Sequence, residues 1–89
     1  MRELSFEDKL FIDYRDNNSE EALNNLITNV SPWLYAIVIS FVFDEDKTED
    51  ILDKVIIKMV KKKSQYKPEE KGIIYELFLI AKQEIFKEI

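Results

Sequence analysis

The chain contains no cysteine and no histidine, and its 89 residues include one glycine and two prolines. Without a thiol or an imidazole there is no disulfide, no Cys/His zinc site, no cysteine nucleophile and no imidazole base. So little glycine and proline argues against a sheet, which needs several tight turns at this size, and in favour of helices. Long hydrophobic runs are also lacking. The uncharged stretch from Ser31 to Phe43 is too short to cross a bilayer and reads as a buried core helix. The opening MRELSFEDKL has no signal-peptide core, and a reducing cytoplasm fits the composition. No glycine-rich phosphate cradle is present. Asp44, Asp46, Thr48 and Asp50 alternate like the start of a calcium loop, but Glu49 and Val55 stand where that loop needs glycine and glutamate. The expectation is a soluble protein that is not an enzyme and carries no cofactor or metal.

What is present suits one small helical domain over residues 1–89, with 46% hydrophobic and 35% charged residues. The net charge of −5 is unevenly spread. Residues 1–50 hold four basic and twelve acidic side chains, a net of −8, and residues 51–89 hold nine basic and six acidic, a net of +3. A polyanion would therefore meet the second half, although the excess is small beside that of a dedicated nucleic-acid binder.

Apolar periodicity and helix-end signals divide the chain into a compact all-α bundle of four to five helices. Ser5 and Asp8 form a capping pair ahead of Phe6, Leu10, Phe11 and Tyr14. Asn18 with Glu21 starts a second helix, whose core face is Ala22, Leu23, Leu26, Ile27 and Val30. Ser31-Pro32 reads as an N-cap with proline at the first position, opening a separate helix from Trp33 to Phe43. Residues 44–46 form a turn, and Thr48 or Asp46 caps the next helix. The last helix begins near Gly72 or Ile73 and is expected to reach the end of the chain.

Two of these helices carry apolar residues where water should be. In the helix after Thr48, Ile51, Leu52, Val55, Ile56, Met59 and Val60 make one stripe. Opposite lie Asp50, Asp53, Lys54, Ile57 and Lys61. Ile57 is either a singly exposed aliphatic residue or the centre of a docking patch with a charged rim. In the last helix, Ile73, Ile74, Leu77, Phe78, Ala81 and Ile85 build the inner stripe. Tyr75, Leu79 and Phe86 cluster outside with Lys82 beside them, a patch suited to protein packing or to stacking on unpaired bases. Glu76 and Glu84 flank it and would repel phosphates. Lys61, Lys62 and Lys63 complement a helix C-terminus or touch a phosphate backbone. Tyr66 is read as a lid on the core or as a stacking platform.

These segments, in order, resemble region 2 of the sigma-70 family of bacterial RNA polymerase sigma factors, closest to the extracytoplasmic-function type. Thr48 to Val60, TEDILDKVIIKMV, is similar to that family's A-E-D-L-V-Q-E-V-F-L-R-L-W. Ser31 to Ala36 is similar to A-P-R-L-Y-R, and Asn18 to Leu23 to G-D-E-E-A-F. Tyr66 to Gly72 resembles the F-D-P-E-R-G loop, and Leu77 to Gln83 follows L-Y-R-I-A-R-N. The resemblance implies a helical domain that docks on the clamp-helix coiled coil of the polymerase largest subunit through Asp50, Asp53, Lys54 and Ile57, with Lys61 on the same face. It implies that Tyr66, Lys67, Tyr75, Leu79 and Lys82 contact and open the minus-ten promoter DNA. An anti-sigma factor is the regulatory partner such a domain admits. This sequence departs from the pattern at Asp53 in place of Gln, Lys54 in place of Glu, Glu76 in place of Trp and Leu79 in place of Arg. The family's basic stretch and minus-thirty-five reading domain have no counterpart in these 89 residues. The rival expectation is a sigma-like helical module that binds only protein, including a second copy of itself.

Overall fold

The computed structural model describes residues 2–88. It contains α1 (Phe6–Asn17), α2 (Glu20–Val42), α3 (Glu45–Lys61), a single 3₁₀ turn (Lys63–Gln65) and α4 (Ile73–Glu88). The all-α bundle expected from the sequence is observed. The described part of α4 ends at Glu88, and the expected continuation to residue 89 lies outside the described residues.

Helix ends follow local chemistry. Ser5 caps α1 with a full capping box: its hydroxyl accepts from the Asp8 amide, and the Asp8 carboxylate accepts from the Ser5 amide. The start of α2 differs from expectation. Asn18 is the left-handed C-cap of α1 (φ 54°), and Ser19 caps α2 by accepting from the Ala22 amide. A short side chain that tolerates φ > 0 suits Asn18 to ending a helix. For α3 the cap is Asp44, whose carboxylate accepts from the Lys47 amide at 2.9 Å. Thr48 lies one turn inside, fully buried, with its hydroxyl donating to the Asp44 carbonyl.

The larger correction concerns Pro32. Ser31-Pro32 starts no new helix, because α2 runs unbroken from Glu20 to Val42 with Pro32 inside it. An interior proline costs about 3 kcal/mol in helix propensity. Against this, Leu26, Val30, Leu34 and Val38 continue one buried series across the proline. The Ser31 hydroxyl donates back to the Ile27 carbonyl at 2.6 Å, and Pro32 itself is exposed, so its missing N–H falls on the wet side. Buried positions at strict intervals of four drift by about 40° per step, since four residues turn 400°. The buried face of α2 thus rotates along its length and meets α1, α3 and α4 in turn. At 23 residues α2 is long and apolar enough for a membrane span by length and composition, but here it is the central helix of the bundle.

The core comprises Phe11 and Tyr14 of α1, the α2 series, Ile51, Val55 and Met59 of α3, and Ile73, Leu77, Ile80, Ala81 and Ile85 of α4. The α3 stripe agrees with expectation, with Leu52, Ile56 and Val60 half-buried at its edges. One aromatic assignment is corrected. Phe78, expected inside, is exposed, and Ile80 takes the inner place on α4; Phe6 is exposed as well.

One polar contact joins the chain's two ends. The Asp8 carboxylate, wholly buried, accepts from the Ser5 amide (2.9 Å), Arg2 Nη1 (2.7 Å) and the Ile73 amide (2.8 Å) at the start of α4. Arg2 also donates to the Pro68 carbonyl, and its guanidinium lies so close over Gly72 that a Cβ there would sit 2.9 Å from Nη2. Burial pushes the Asp8 carboxyl up, but the Ile73 and Ser5 amides, Arg2 and the Ser5 hydroxyl outweigh it and hold it below 3.8. A carboxylate with a lowered folded-state pKa stabilises above its unfolded pKa, and that contribution is lost as pH falls through the folded value. Asp8→Ala is expected to cost about 2–4 kcal/mol at neutral pH, because it strands a buried amide and removes a cap. It should also flatten the loss of stability between about pH 5 and pH 2. Urea unfolding of parent and variant across that range checks both; equal acid limbs would remove Asp8 from this role.

Candidate functional site

Helix α3 presents the face singled out by periodicity. Asp50, Asp53, Lys54, Ile57 and Lys61 fall at intervals of three and four, and all are exposed. Ile57 is 51% exposed at the centre of the row. Lys54 Nζ lies 3.1 Å from Asp50 Oδ2. The hydrogen bond that Lys54 donates to the Asp50 carboxylate raises the Lys54 pKa, with Glu88 and Glu84 of α4 adding to the effect. The rim therefore offers Asp53 and Lys61 as charges with no ion-pair partner within the described residues, beside an internally matched pair. Chemically, this is an apolar contact ringed by both signs of charge.

Behind this face stands a buried ion pair. Glu84 of α4 is 3% exposed and engages Lys58 of α3, with Lys87 at 3.2 Å. The Lys58 hydrogen bond, aided by Lys87, outweighs burial and lowers the Glu84 pKa. Glu84 is therefore not a flanking surface anion, as the sequence suggested, but the anchor between α3 and α4.

The residues expected to contact DNA are only partly brought together. Tyr66 is half-buried, with its ring edge-on to Phe11 at 5.9 Å and its carbonyl accepting from Arg15. Its position is that of the core lid. Lys67 is exposed in the turn that follows, where its carbonyl accepts from the Glu70 and Lys71 amides. A shallow depression there is lined by Lys67 together with Glu70 and Glu76. Leu79 is half-buried, whereas Tyr75 and Lys82 are exposed along α4. Lys63 is committed elsewhere, with Nζ 2.8 Å from Asn18 Oδ1 and over the Tyr14 ring.

The true outer stripe of α4 is Tyr75, Phe78, Lys82 and Phe86. Phe78 was missed because it sits at the boundary of the inner stripe. Its spacing of three from Tyr75 and four from Lys82 is the signal that places it outside. Sequence reasoning also missed that α2 joins this surface. Ile37 and Phe41 of α2 with Phe78, Ala81, Ile85 and Phe86 of α4 enclose an apolar groove of about 150 Å³, with Lys82 at its edge.

No protein-family model, no curated protein and no solved structure matches this chain.

Because Glu84 depends on Lys58, Lys58→Met should destabilise by about 1–2 kcal/mol, less than a fully buried pair since the Lys58 head is about one-third exposed. The double variant Lys58→Met/Glu84→Met should recover most of that loss, as apolar replacement of a buried pair commonly does. A double-mutant cycle in urea measures the coupling; additive losses would show that the two residues act separately.

Proposed function

We propose that this chain is a sigma region 2-like domain that docks on core RNA polymerase through the free face of α3 and contributes to promoter recognition in the cytoplasm. The observation that carries the docking reading is Ile57, half-exposed amid Asp50, Asp53, Lys54 and Lys61. In the sigma resemblance the first three of these and Ile57 are the positions that meet the clamp helices. A central apolar anchor inside a polar rim is the usual anatomy of such a contact. What supports the reading at the level of the fold is coarser: a helical bundle with the Tyr66–Gly72 loop ahead of its last helix. Lys54, of opposite charge to the usual glutamate, pairs with Asp50 in place of an external cation.

Promoter contact rests on fewer groups. Tyr75 and Lys82 are exposed on α4 and Lys67 in the loop, while Tyr66 and Leu79 are largely taken up by packing. That distribution favours, as a second reading, a sigma-like module whose main business is protein binding.

Docking is tested with immobilised clamp-helix coiled coil. Ile57→Glu is expected to weaken capture at least about tenfold, as loss of a central anchor does, with circular dichroism unchanged because the side chain lies outside the core. Equal capture of variant and parent would sink the assignment. The promoter role predicts binding to single-stranded minus-ten oligonucleotide that falls as salt rises and that drops with Lys82→Ala. No binding at low salt would remove that role and leave docking standing.

A further inference from the structure

The α2/α4 surface is the largest feature that the α3 reading does not use. Trp33 adjoins Ile74, Ile74 adjoins Phe78, and Phe78 leads into the groove between Phe41 and Phe86, so the apolar face is continuous. Charge is nearly absent from its groove end and stands at the other margin as Glu7, Arg2 and Asp8. Residues 31–42 of α2 hold no charged side chain, and Lys82 is the one cation that α4 places on the groove. Elsewhere charged residues are frequent, and depletion at one patch is the mark of an interface centre.

We infer that this face pairs with the same face of a second copy of the chain, about a two-fold axis near Lys82. Three observations select a copy as the occupant. First, the face carries both a recess of about 150 Å³ and rings that stand proud of it: Phe41 is 56% exposed and Phe86 61%. Knob and hole on one surface make it complementary to itself after a two-fold rotation. Second, Phe78 and Phe86 lie four residues either side of Lys82. Antiparallel pairing of α4 with its copy therefore sets Phe78 against the partner's Phe86. The Lys82 ammonium already lies 5.8 Å from the centre of its own Phe86 ring. In the pair it sits between two rings, its stem buried and its head reaching water.

The third is area. Trp33, Phe41, Tyr75, Phe78 and Phe86 retain between a third and three-fifths of their surface. At about 200 Å² for a whole aromatic side chain, that leaves roughly 500 Å² of exposed ring. A standard dimer buries about 800 Å² on each partner, so the exposed rings alone supply more than half of what such a pairing needs. Each copy carries −5, so mutual repulsion opposes pairing at long range and is screened by salt.

Sedimentation equilibrium of the full chain from about 5 to about 200 µM, a range spanning micromolar affinities, is the test. The expected result is a species of twice the 10.6 kDa chain mass, tightening as salt rises. Phe41→Glu and Phe86→Glu, both at exposed positions, should each weaken pairing at least tenfold with helix content unchanged. A monomer throughout the range overturns the inference and leaves the face to another occupant. A dimer indifferent to both substitutions, or one that salt dissociates, also overturns it. Ile57→Glu should dimerise like the parent, so failure here is distinguishable from failure of polymerase docking.

Discussion

The buried Asp8 carboxylate accepts hydrogen bonds from Ser5, Arg2 and Ile73, groups drawn from the N-terminal segment and from the first turn of the last helix. Taking a carboxylate out of water is costly unless its lone pairs are filled, so the three donors must stay in place together. Fixing the Ile73 amide fixes the rotation of α4 about its own axis. That rotation decides which α4 residues enter the core and which face water. Gly72 belongs to the same device, because any side chain there would collide with the guanidinium that completes the shell. At the other end of α4, Glu84 does the equivalent task with Lys58. One helix is held near both ends by buried carboxylates, one supplied by α1 and accepting from its first amide, the other its own and engaging Lys58 of α3.

With α4 locked and α3 locked to it, the molecule presents two surfaces of different character. The α3 face is small, mixed in charge and centred on a single aliphatic residue. The α2/α4 face is broad, aromatic and poor in charge along its groove. The first suits a contact that forms and breaks, where charges guide approach and a few groups supply affinity. The second has the composition of a more lasting contact. Neither shares an exposed residue with the other, so occupancy of one leaves the other open.

Much of this was legible in the sequence where pattern and local chemistry agree. The two faces of α3 follow from periodicity alone, since its apolar and charged residues separate with Ile57 as the exception. The Ser5–Asp8 box was legible as a cap, but not the burial of Asp8, because its third donor lies 65 residues away in the chain. The same holds for Glu84, whose surroundings come from another helix. Pro32 misled because Ser-Pro is a sound start signal locally, and only the unbroken series from Leu26 to Val38 overrides it. Asn18 and Ser19 are both good caps; the left-handed turn took the asparagine and left the serine for the next helix. Phe78 sits where inner and outer stripes meet, and its spacing from Tyr75 and Lys82, rather than its apolar character, gives its side. The aromatic surface was half visible on α4 and invisible on α2, which reads as core from end to end.

The corner between α2 and α3 consists of Phe43 and Asp44 alone, with Phe43 held left-handed at φ 56°. A connection so short gives these two helices almost no freedom to splay, and their pairing requires little loop closure. The Asp8–Ile73 contact is the opposite case, closing a loop of most of the chain. The helical hairpin is therefore a local contact, while the clasp between Asp8 and Ile73 carries a much larger loop-closure cost. The described residues of α4 beyond Ile85, Phe86 to Glu88, are all exposed, so few buried contacts hold that segment. The aromatic surface thus reaches, at Phe86, the least buried part of the helix that carries it.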